Sequence, residues 1–368
     1  MSLAKRTEER KADHLEISLN ENIQAKHVTT GFEDLHFVHK ALPEINREEI
    51  DLCAEVLNHK FSAPLIVESM TGGMPKATKI NAVIARIVEK LGLGMGVGSQ
   101  RAALENPKVE KTFNITRKEA PNAFILANIG APQLARGYSL KEAARVVKML
   151  DADALLIHLN PLQEAIQPEG ETNYADVVQA IGKIANGLNV PVIVKETGCG
   201  IAWTEAKQLE AIGVAAIDIA GAGGTSWAAV EYYRAKSRLD KFHQRLGETF
   251  WDWGIPTAVS LIETTQHVAL PIIASGGLRS GLDVAKALAV GASLVGTAYP
   301  VLHSAVKGAR AVKDTLQIML EELRTAMFLV GADSIPKLRK APLIITGKTA
   351  ELLIMRGFDP KIYARRGL

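Results

Sequence analysis

The chain contains only two cysteines, Cys53 and Cys199, among its 368 residues. Two cysteines cannot build the disulfide framework that stabilises small secreted domains, so we expect a reducing, intracellular compartment. Aromatic residues are also scarce, at 5% of the chain. A nucleic-acid surface usually combines basic and aromatic side chains, so this composition argues against a nucleic-acid partner.

Strong charge and long apolar runs are absent as well. The formal net charge is only +3, which gives no strong field to attract nucleic acid or a membrane. Residues 1–10 are charged and lack the apolar segment of a signal peptide. Residues 287–302 carry no formal charge but include two glycines and one proline, and they fall short of the roughly 20 apolar residues of a membrane span. We therefore expect no membrane partner.

The chain does contain a regular alternation of short apolar runs and amphipathic stretches. Such alternation favours a parallel sheet with helical crossovers. Eight apolar runs in a chain of this length predict an α/β fold, a closed (β/α)8 TIM barrel, with an open doubly wound sheet as the alternative. No G-x-G-x-x-G opens a helix after a first strand, which weakens a dinucleotide-binding assignment. The runs are residues 64–67, 93–97, 123–127, 154–157, 191–194, 215–219, 271–274 and 293–296, and the helical stretches are 79–91, 140–150, 174–187, 204–211 and 282–290.

The rest of the chain fits around one barrel. We expect a single domain over residues 1–368, made of an N-terminal extension (1–60) that contributes to the substrate site, the barrel (61–305), and a C-terminal helix and tail (306–368). Residues 221–270, between the sixth and seventh strands, hold three of the four tryptophans. This long connection is a candidate lid or interface.

The most informative stretch is His158-Leu159-Asn160-Pro161-Leu162-Gln163-Glu164, which follows the apolar run 154–157. Four polar side chains therefore stand where a buried strand ends. Unpaired buried polar groups cost about 1–3 kcal/mol each, so such a cluster indicates a site rather than a core. Glu164 suits Mg²⁺, a hard cation that takes one or two carboxylates and completes its shell with water and phosphate oxygens. On its own, Glu164 fits equally well as a solvated carboxylate at a helix start.

Glycines mark the ends of other predicted strands. Barrels often bind phosphate with the loops after the seventh and eighth strands, where Gly276-Gly277 and Gly296-Thr297 stand. Glycine lets successive backbone N–H groups approach phosphate oxygens closely. Gly72-Gly73 and Gly223-Gly224 suggest a flat group across the barrel mouth. A phosphate with a planar ring over the barrel centre describes FMN.

Lys195 directly follows the fifth apolar run, where a surface lysine would be poorly placed. Near the N1–C2=O edge of a flavin, its ammonium would stabilise the negative charge of the reduced ring. Lys195 is therefore a candidate flavin contact.

With these motifs in view, the chain resembles the type 2, FMN-dependent isopentenyl diphosphate isomerases over nearly its whole length. The heptad after the fourth strand, combined with the N-terminal Arg-Lys pair, is the specific part of this resemblance, whereas Ser-Gly-Gly is shared with many FMN barrels. The matching motifs are Arg10-Lys11-x-x-His14, Met70-Thr71-Gly72-Gly73, Gly96-Val97-Gly98-Ser99-Gln100-Arg101, His158-Leu159-Asn160-Pro161-x-Gln163-Glu164, Val194-Lys195-Glu196, Gly223-Gly224-Thr225-x-Trp227 and Ser275-Gly276-Gly277-x-Arg279-Ser280-Gly281.

The resemblance implies a role for each of these positions. FMN would contact Met70, Thr71, Gly72, Gly73, Ser99, Asn128, Lys195, Thr225, Ser275, Gly276, Gly277, Arg279, Ala298 and Tyr299. The substrate, chiefly its diphosphate, would contact Arg10, Lys11, His14, Ser99, Gln100, Arg101, His158, Asn160, Gln163 and Trp227. Glu164 would bind Mg²⁺, and the catalytic residues would be Gln163, Glu231 and Lys195.

The reaction that the resemblance implies is a 1,3-allylic proton shift, from isopentenyl to dimethylallyl diphosphate, in isoprenoid biosynthesis. Reduced FMN would act as acid and base, Mg²⁺ would hold the diphosphate, and NAD(P)H would be the reductant. The resemblance also implies a cytoplasmic homo-oligomer, a tetramer or octamer.

Three alternatives stay open. An FMN-dependent 2-hydroxy-acid oxidase or dehydrogenase would need a strong base, for which His158 is the candidate, and an arginine for the substrate carboxylate. The other two are a tRNA-modifying flavoprotein and a non-catalytic FMN-binding protein.

Overall fold

Eight parallel strands close into a barrel at the centre of the protein. The structure is a computed structural model that describes residues 3–367. The strands are numbered β1 to β8 in chain order, and β8 pairs with β1, with Val295 opposite Leu65 and Thr297 opposite Val67. This closure confirms the TIM barrel and excludes the open sheet. The strands are β1 Leu65–Val67, β2 Gly94–Gly96, β3 Phe124–Gly130, β4 Ala154–His158, β5 Val192–Lys195, β6 Ala216–Asp218, β7 Ile272–Ala274 and β8 Leu294–Thr297.

Helices connect the strands on the outside of the barrel. The predicted helix 140–150 is Leu140–Leu150, and the other four predicted helices differ from the structure by at most four residues at either end. The helices are Leu3–Asn20, Pro75–Leu91, Arg101–Glu105, Lys111–Glu119, Ala131–Leu134, Leu140–Leu150, Pro161–Ile166, Val177–Gly187, Trp203–Ala211, Trp227–Ser237, Lys241–Thr249, Thr257–Thr265, Gly281–Ala289, Tyr299–Ala305, Ala309–Leu329, Ile335–Leu338, Gly347–Met355 and Lys361–Ala364.

Short elements outside the barrel tie the two ends of the chain together. Strand Leu35–Phe37 pairs antiparallel with Leu343–Ile345, and the long helix Ala309–Leu329 packs against Gly281–Ala289. None of the described helices combines the length and the apolar character that crossing a membrane requires.

The lower part of the barrel interior is apolar. Side chains alternate between the two faces of a strand, so every second residue points inward. These inward positions form one cluster, which the hairpin Ala54–Val56 and His59–Phe61 closes from below through Val56 and Phe61. The cluster also contains Ile66, Phe124, Leu126, Ala154, Leu156, Ile193, Ala216, Ile273 and Leu294.

The next inward positions, at the carboxyl ends of the strands, are polar. Moving two residues along each strand from this cluster leads to Glu68, Asn128, His158, Lys195, Asp218 and Ser275. Gly296 keeps this layer open, since a Cβ there would lie 1.8 Å from Glu68 Oε1. The same alternation that fills the lower barrel therefore gathers the polar groups at one mouth.

Phe61 tests the apolar part of this arrangement. It is fully buried and makes an edge-to-face contact with Phe124, with ring centroids 5.3 Å apart. Phe61→Ala should lower the free energy of unfolding by about 3–5 kcal/mol, because it opens a cavity beneath the barrel. The exposed Phe242 is the matched control, for which the change to Ala should stay within about 0.5 kcal/mol. Equal losses for the two variants in urea denaturation would contradict this description of the barrel floor.

Candidate functional site

The N-terminal helix Leu3–Asn20 forms one wall of a cavity at the barrel mouth. Residues spaced by three or four share one helix face, and six such residues line the cavity. Asp13 anchors the helix through ion pairs with Arg234 and Arg238. The N-terminal helix thus brings the cations Arg10 and Lys11 to the carboxyl ends of the strands. The lining residues of this helix are Thr7, Arg10, Lys11, His14, Leu15 and Ser18.

Lys195 lies at the centre of the cavity floor. Its Nζ is 2.9 Å from Asp218 Oδ2, 3.1 Å from Glu68 Oε2 and 3.0 Å from Ser275 Oγ. Burial disfavours the charged ammonium, but Asp218 and Glu68 outweigh this effect and raise the pKa of Lys195 above its usual value. Burial and the nearby Asp218 also raise the pKa of Glu68 to about 8. The floor therefore holds one permanent cation between two carboxyl groups.

His158 lies beside Lys195, on the neighbouring strand. Its Nδ1 is 2.7 Å from Asn128 Oδ1, so Nδ1–H donates and Nε2 keeps its lone pair. Burial, Lys11 and Lys195 lower the pKa of His158 to about 3. The ring is therefore neutral at physiological pH and offers a hydrogen-bond acceptor.

Asn160 organises the short helix Pro161–Ile166. Its Nδ2 donates to Gln163 Oε1 at 3.1 Å and to Glu164 Oε1 at 2.9 Å. The other oxygen of Glu164 accepts from Gln167 Nε2 at 2.5 Å and from the Glu171 backbone N–H at 2.7 Å. The Glu164 carboxylate is thus fixed in place, while Oε1 retains one acceptor position.

Glu231 stands behind the cavity wall rather than in it. Its Oε1 lies 2.8 Å from His14 Nε2 and 3.3 Å from Gln163 Nε2, and its Oε2 accepts from Arg234 Nη1 at 3.1 Å. Burial opposes ionisation, but His14, Arg234 and Gln163 outweigh it and lower the pKa of Glu231 to about 2. This carboxylate therefore holds two cavity residues, His14 and Gln163, in position.

Lys11 and Arg101 give the cavity its positive side. Lys11 Nζ donates to Ser99 O at 2.6 Å and to Gly72 O at 3.1 Å. Burial and the neighbouring Arg10 lower the pKa of Lys11 to about 7. Arg101 is paired by Nε with Glu105 and by Nη1 with Glu171, each at 2.7 Å, which leaves three of its five donors for other partners.

Gly276 and Gly277 line the cavity in the loop after β7. Their φ angles are +100° and +82°, a backbone region that favours glycine. A Cβ on Gly224 would lie 2.4 Å from Gly277 Cα, so the loops after β6 and β7 touch through their backbones. Within residues 3–367, the N–H groups of Gly276 and Gly277 donate no hydrogen bond. They are thus available to a ligand.

The structure brings nearly all predicted site residues to this cavity. The predicted residues that line it are Arg10, Lys11, His14, Met70, Thr71, Gly72, Ser99, Arg101, Asn128, His158, Asn160, Gln163, Glu164, Lys195, Thr225, Trp227, Ser275, Gly276, Gly277, Arg279, Ala298 and Tyr299.

Gln100 and Gly73, like Glu231, are not among the lining residues. Gln100 is fully buried; its Nε2 donates to Val146 O and its Oε1 accepts from the Asn128 N–H, both at 2.9 Å. The side chain therefore ties β3 to helix Leu140–Leu150 and does not reach the predicted substrate site. The Gly73 N–H donates to Thr112 Oγ1 at 2.8 Å, so this N–H is already used within the protein.

The three tryptophans of residues 221–270 have three different environments. Trp227 lines the cavity and contacts the His14 ring edge-on at 5.3 Å. Trp251 is buried and donates to Gln24 O, whereas Trp253 is exposed. Within this connection, Thr225 and Trp227 therefore reach the cavity, at and just before the start of helix Trp227–Ser237.

Sequence reasoning did not assign a role to Glu68 or Asp218. Both carboxyl groups contact Lys195 and are almost fully buried. Asp218 interrupts the apolar run 215–219, and an acid inside a buried strand is a signal that could have identified it. Glu68 directly follows β1, the position where barrels place functional side chains.

A proton NMR titration tests the neutral state of His158. Because its pKa is lowered to about 3, its C2 proton should not shift between pH 5 and pH 8, whereas an unperturbed histidine titrates near 6.5. The His158→Gln variant assigns the resonance. A His158 midpoint near 6.5 would contradict the structure.

A family model and several solved structures are similar to this chain. A family model described as FMN-dependent dehydrogenase matches residues 163–345. Among solved structures, a lactate oxidase of Pediococcus acidilactici is similar with a TM-score of 0.68 and 18% identity, covering 94% of each chain. A mandelate oxidase with (S)-2-phenylpropionate has a TM-score of 0.61 and 17% identity, covering 93% of this chain and 98% of the other. These likenesses show the fold alone.

Relatives of higher identity match nearly the whole chain. An isopentenyl-diphosphate delta-isomerase of Methanothermobacter thermautotrophicus is 49% identical over 358 residues, which cover 97% of this chain and 99% of the relative. Another, of Pyrococcus furiosus, is 50% identical over 359 residues, covering 95% and 90%. Together with the match to the FMN-dependent model, these relatives show that the chain belongs to the type 2 isopentenyl-diphosphate delta-isomerase family.

Proposed function

We propose that the protein converts isopentenyl diphosphate into dimethylallyl diphosphate with reduced FMN and Mg²⁺ bound at the barrel mouth. The observation that carries this proposal is that one cavity is lined both by the cationic face of the N-terminal helix and by a floor that contains the buried Lys195. Cations suit the anionic end of the substrate. A fixed ammonium suits a cofactor ring that becomes negatively charged.

The residues of the mouth fit a flavin. The free N–H groups of Gly276 and Gly277 and the guanidinium of Arg279 would hold its phosphate. Lys195 would hold the negative charge of the reduced ring. When bound, reduced FMN supplies acid–base chemistry beside the alkene.

The diphosphate serves as a handle in this proposal. It does not react, so its binding energy can orient the hydrocarbon part of the substrate. It would be bound by Arg10, Lys11 and Arg101. Burial lowers the pKa of Lys11, and an anion beside it would raise this pKa again and so keep the ammonium charged. Gln100 is left out of this set because its side chain is used between β3 and a helix.

Glu164 fits a magnesium ion that the substrate completes. Among residues 3–367, no group of three or more His, Cys, Asp or Glu side chains could enclose a metal ion. Mg²⁺ commonly uses one or two carboxylates and takes its other ligands from water and phosphate. The rigidly held Glu164 carboxylate in the cavity wall supplies such a single protein ligand.

The hydrocarbon end of the substrate requires a dry, apolar surface. Leu15, Ile23, Met74 and Leu302 line the cavity beside the polar groups. Burying the alkene against them excludes water from the carbon atoms that lose and gain protons.

Both ends of the Gln163 amide are hydrogen-bonded, so this side chain has one fixed orientation. In our proposal it positions the reacting carbons of the substrate. An amide is too weak an acid to donate the proton itself. Glu231, which the sequence suggested as catalytic, acts in our proposal as a positioning residue that holds Gln163 and His14.

The 2-hydroxy-acid oxidase alternative needs a histidine base. The pKa of about 3 at His158 makes this ring a weak base near neutral pH.

The proposal further includes NAD(P)H as reductant, a cytoplasmic location and a homo-oligomeric state, tetramer or octamer, all of which rest on the family resemblance.

An assay in D2O tests the proposed reaction. The FMN-loaded protein, reduced with NADPH under anaerobic conditions, should convert isopentenyl diphosphate with Mg²⁺ into deuterated dimethylallyl diphosphate, followed by NMR. Deuterium enters because the added proton comes from exchangeable positions. The control uses the oxidised FMN-loaded protein with lactate and an electron acceptor, without NADPH. Lactate oxidation without any allylic product would contradict the proposal.

Substitution of Glu164 tests the metal site separately. Glu164→Gln removes the negative charge while keeping the shape, so the Mg²⁺ concentration for half-maximal activity should rise at least about tenfold. Glu110→Gln, which removes a carboxylate from a surface ion pair with Arg145, is the matched control. The same Mg²⁺ requirement in both variants would exclude Glu164 as a ligand.

A further inference from the structure

The floor of the cavity holds more acid than its single cation can balance. Lys195 contacts two carboxyl groups, those of Glu68 and Asp218, and these two groups are also within hydrogen-bonding reach of each other. All three side chains are less than a tenth exposed, so water compensates little of their charge. With both acids ionised the cluster would carry a net charge of −1.

The surroundings distinguish the two acids. Asp218 Oδ1 accepts a hydrogen bond from Ser275 Oγ at 2.5 Å, which favours its ionised form. The Ala220 N–H also lies 3.3 Å from Asp218 Oδ1. Glu68 Oε2 has only the Lys195 ammonium at 3.1 Å, and Glu68 Oε1, which lies against Gly296, has no hydrogen-bond partner among the described residues. Lys195 and Asp218 are the charged groups that face Glu68. Asp218 thus has more hydrogen-bond donors around it than Glu68, and the surroundings favour the neutral form of Glu68.

We propose that Glu68 and Asp218 share one proton, which is carried mainly by Glu68. Glu68 is then a positioning residue, because its proton determines whether the positive charge of Lys195 is available to a group in the cavity. With Glu68 neutral, Lys195 and Asp218 balance each other, and the cluster can accept a nearby negative charge. With Glu68 ionised, the cluster repels that charge. The raised pKa of Glu68, about 8, agrees with this assignment.

The inference extends the proposed function, because it takes the reduced flavin to be the negative charge that Lys195 meets. Reduction to the anionic flavin consumes two electrons and one proton. If Glu68 is ionised beforehand, it takes up a second proton from solvent as the ring becomes negative. Glu68 thereby couples the charge of the cofactor to the pH of the solution.

Infrared spectroscopy of the oxidised FMN-loaded protein without substrate tests the shared proton directly. The wild type should show the C=O stretch of a protonated carboxylic acid that disappears as the pH rises through about 8. Burial also raises the pKa of Glu196 to about 7, so the band of the Glu68–Asp218 pair is the one that survives in the Glu196→Gln variant. That band should be absent in both Glu68→Gln and Asp218→Asn, because either change leaves one carboxyl group in the pair, which ionises against Lys195. Glu119→Gln, which removes a carboxylate paired with Arg86 on the outer surface, should retain the band.

Two results would overturn the proposal. One is a wild type without the band; the other is a band that persists in Asp218→Asn with an unchanged midpoint, since burial alone would then hold the proton. Circular dichroism and the flavin absorption spectrum establish that each variant is folded and loaded.

The flavin midpoint potential, titrated with dithionite, supplies a second readout. The slope of this potential against pH reports how many protons are taken up with the electrons. Above pH 8 the wild type should take up two protons for every two electrons, whereas Glu68→Gln should take up one. Equal proton uptake by the two proteins would contradict the coupling. Neither measurement involves the allylic substrate, so a failure of the isomerase assay would leave these results intact and would count against the proposed function alone.

Discussion

The ion pairing of the buried Lys195 ammonium is the interaction on which the site depends. It joins groups from four strands of the barrel. Lys195 ends β5 and Asp218 ends β6, while Glu68 follows β1 and Ser275 follows β7. A cation at this depth is stable only with partners, and the closed sheet supplies them by pointing every second residue inward. The alternation of side chains along the strands thus yields both the apolar lower part of the barrel interior and the charged floor of the cavity at its mouth.

The N-terminal helix completes what the barrel leaves open. The barrel floor is rich in carboxyl and amide groups, while Arg10, Lys11 and His14 arrive from outside on a single helix face. The helix is fixed by Asp13 to Arg234, and Arg234 also holds Glu231. The same arginine therefore links the position of the helix to that of Gln163 through Glu231.

Much of this arrangement could be predicted from the sequence. Each apolar run corresponds to one strand, and β3 alone extends clearly further, to Gly130, because its ladder with β4 continues through polar Asn128. What could not be predicted is the choice of partners. Gln100 belongs to a matching motif, yet its amide satisfies backbone groups of the core, and Glu68 gains its role only because distant Lys195 and Asp218 converge on it. Such contacts are set by strand register rather than by local pattern.

A crystal structure of the FMN-loaded protein with Mg²⁺ and isopentenyl diphosphate tests the central claim most directly. Our account predicts the diphosphate within hydrogen-bonding distance of Lys11 and Arg101, the metal ion on Glu164, and the flavin ring next to Lys195. A diphosphate bound away from the N-terminal helix, or a flavin ring remote from Lys195, would contradict it.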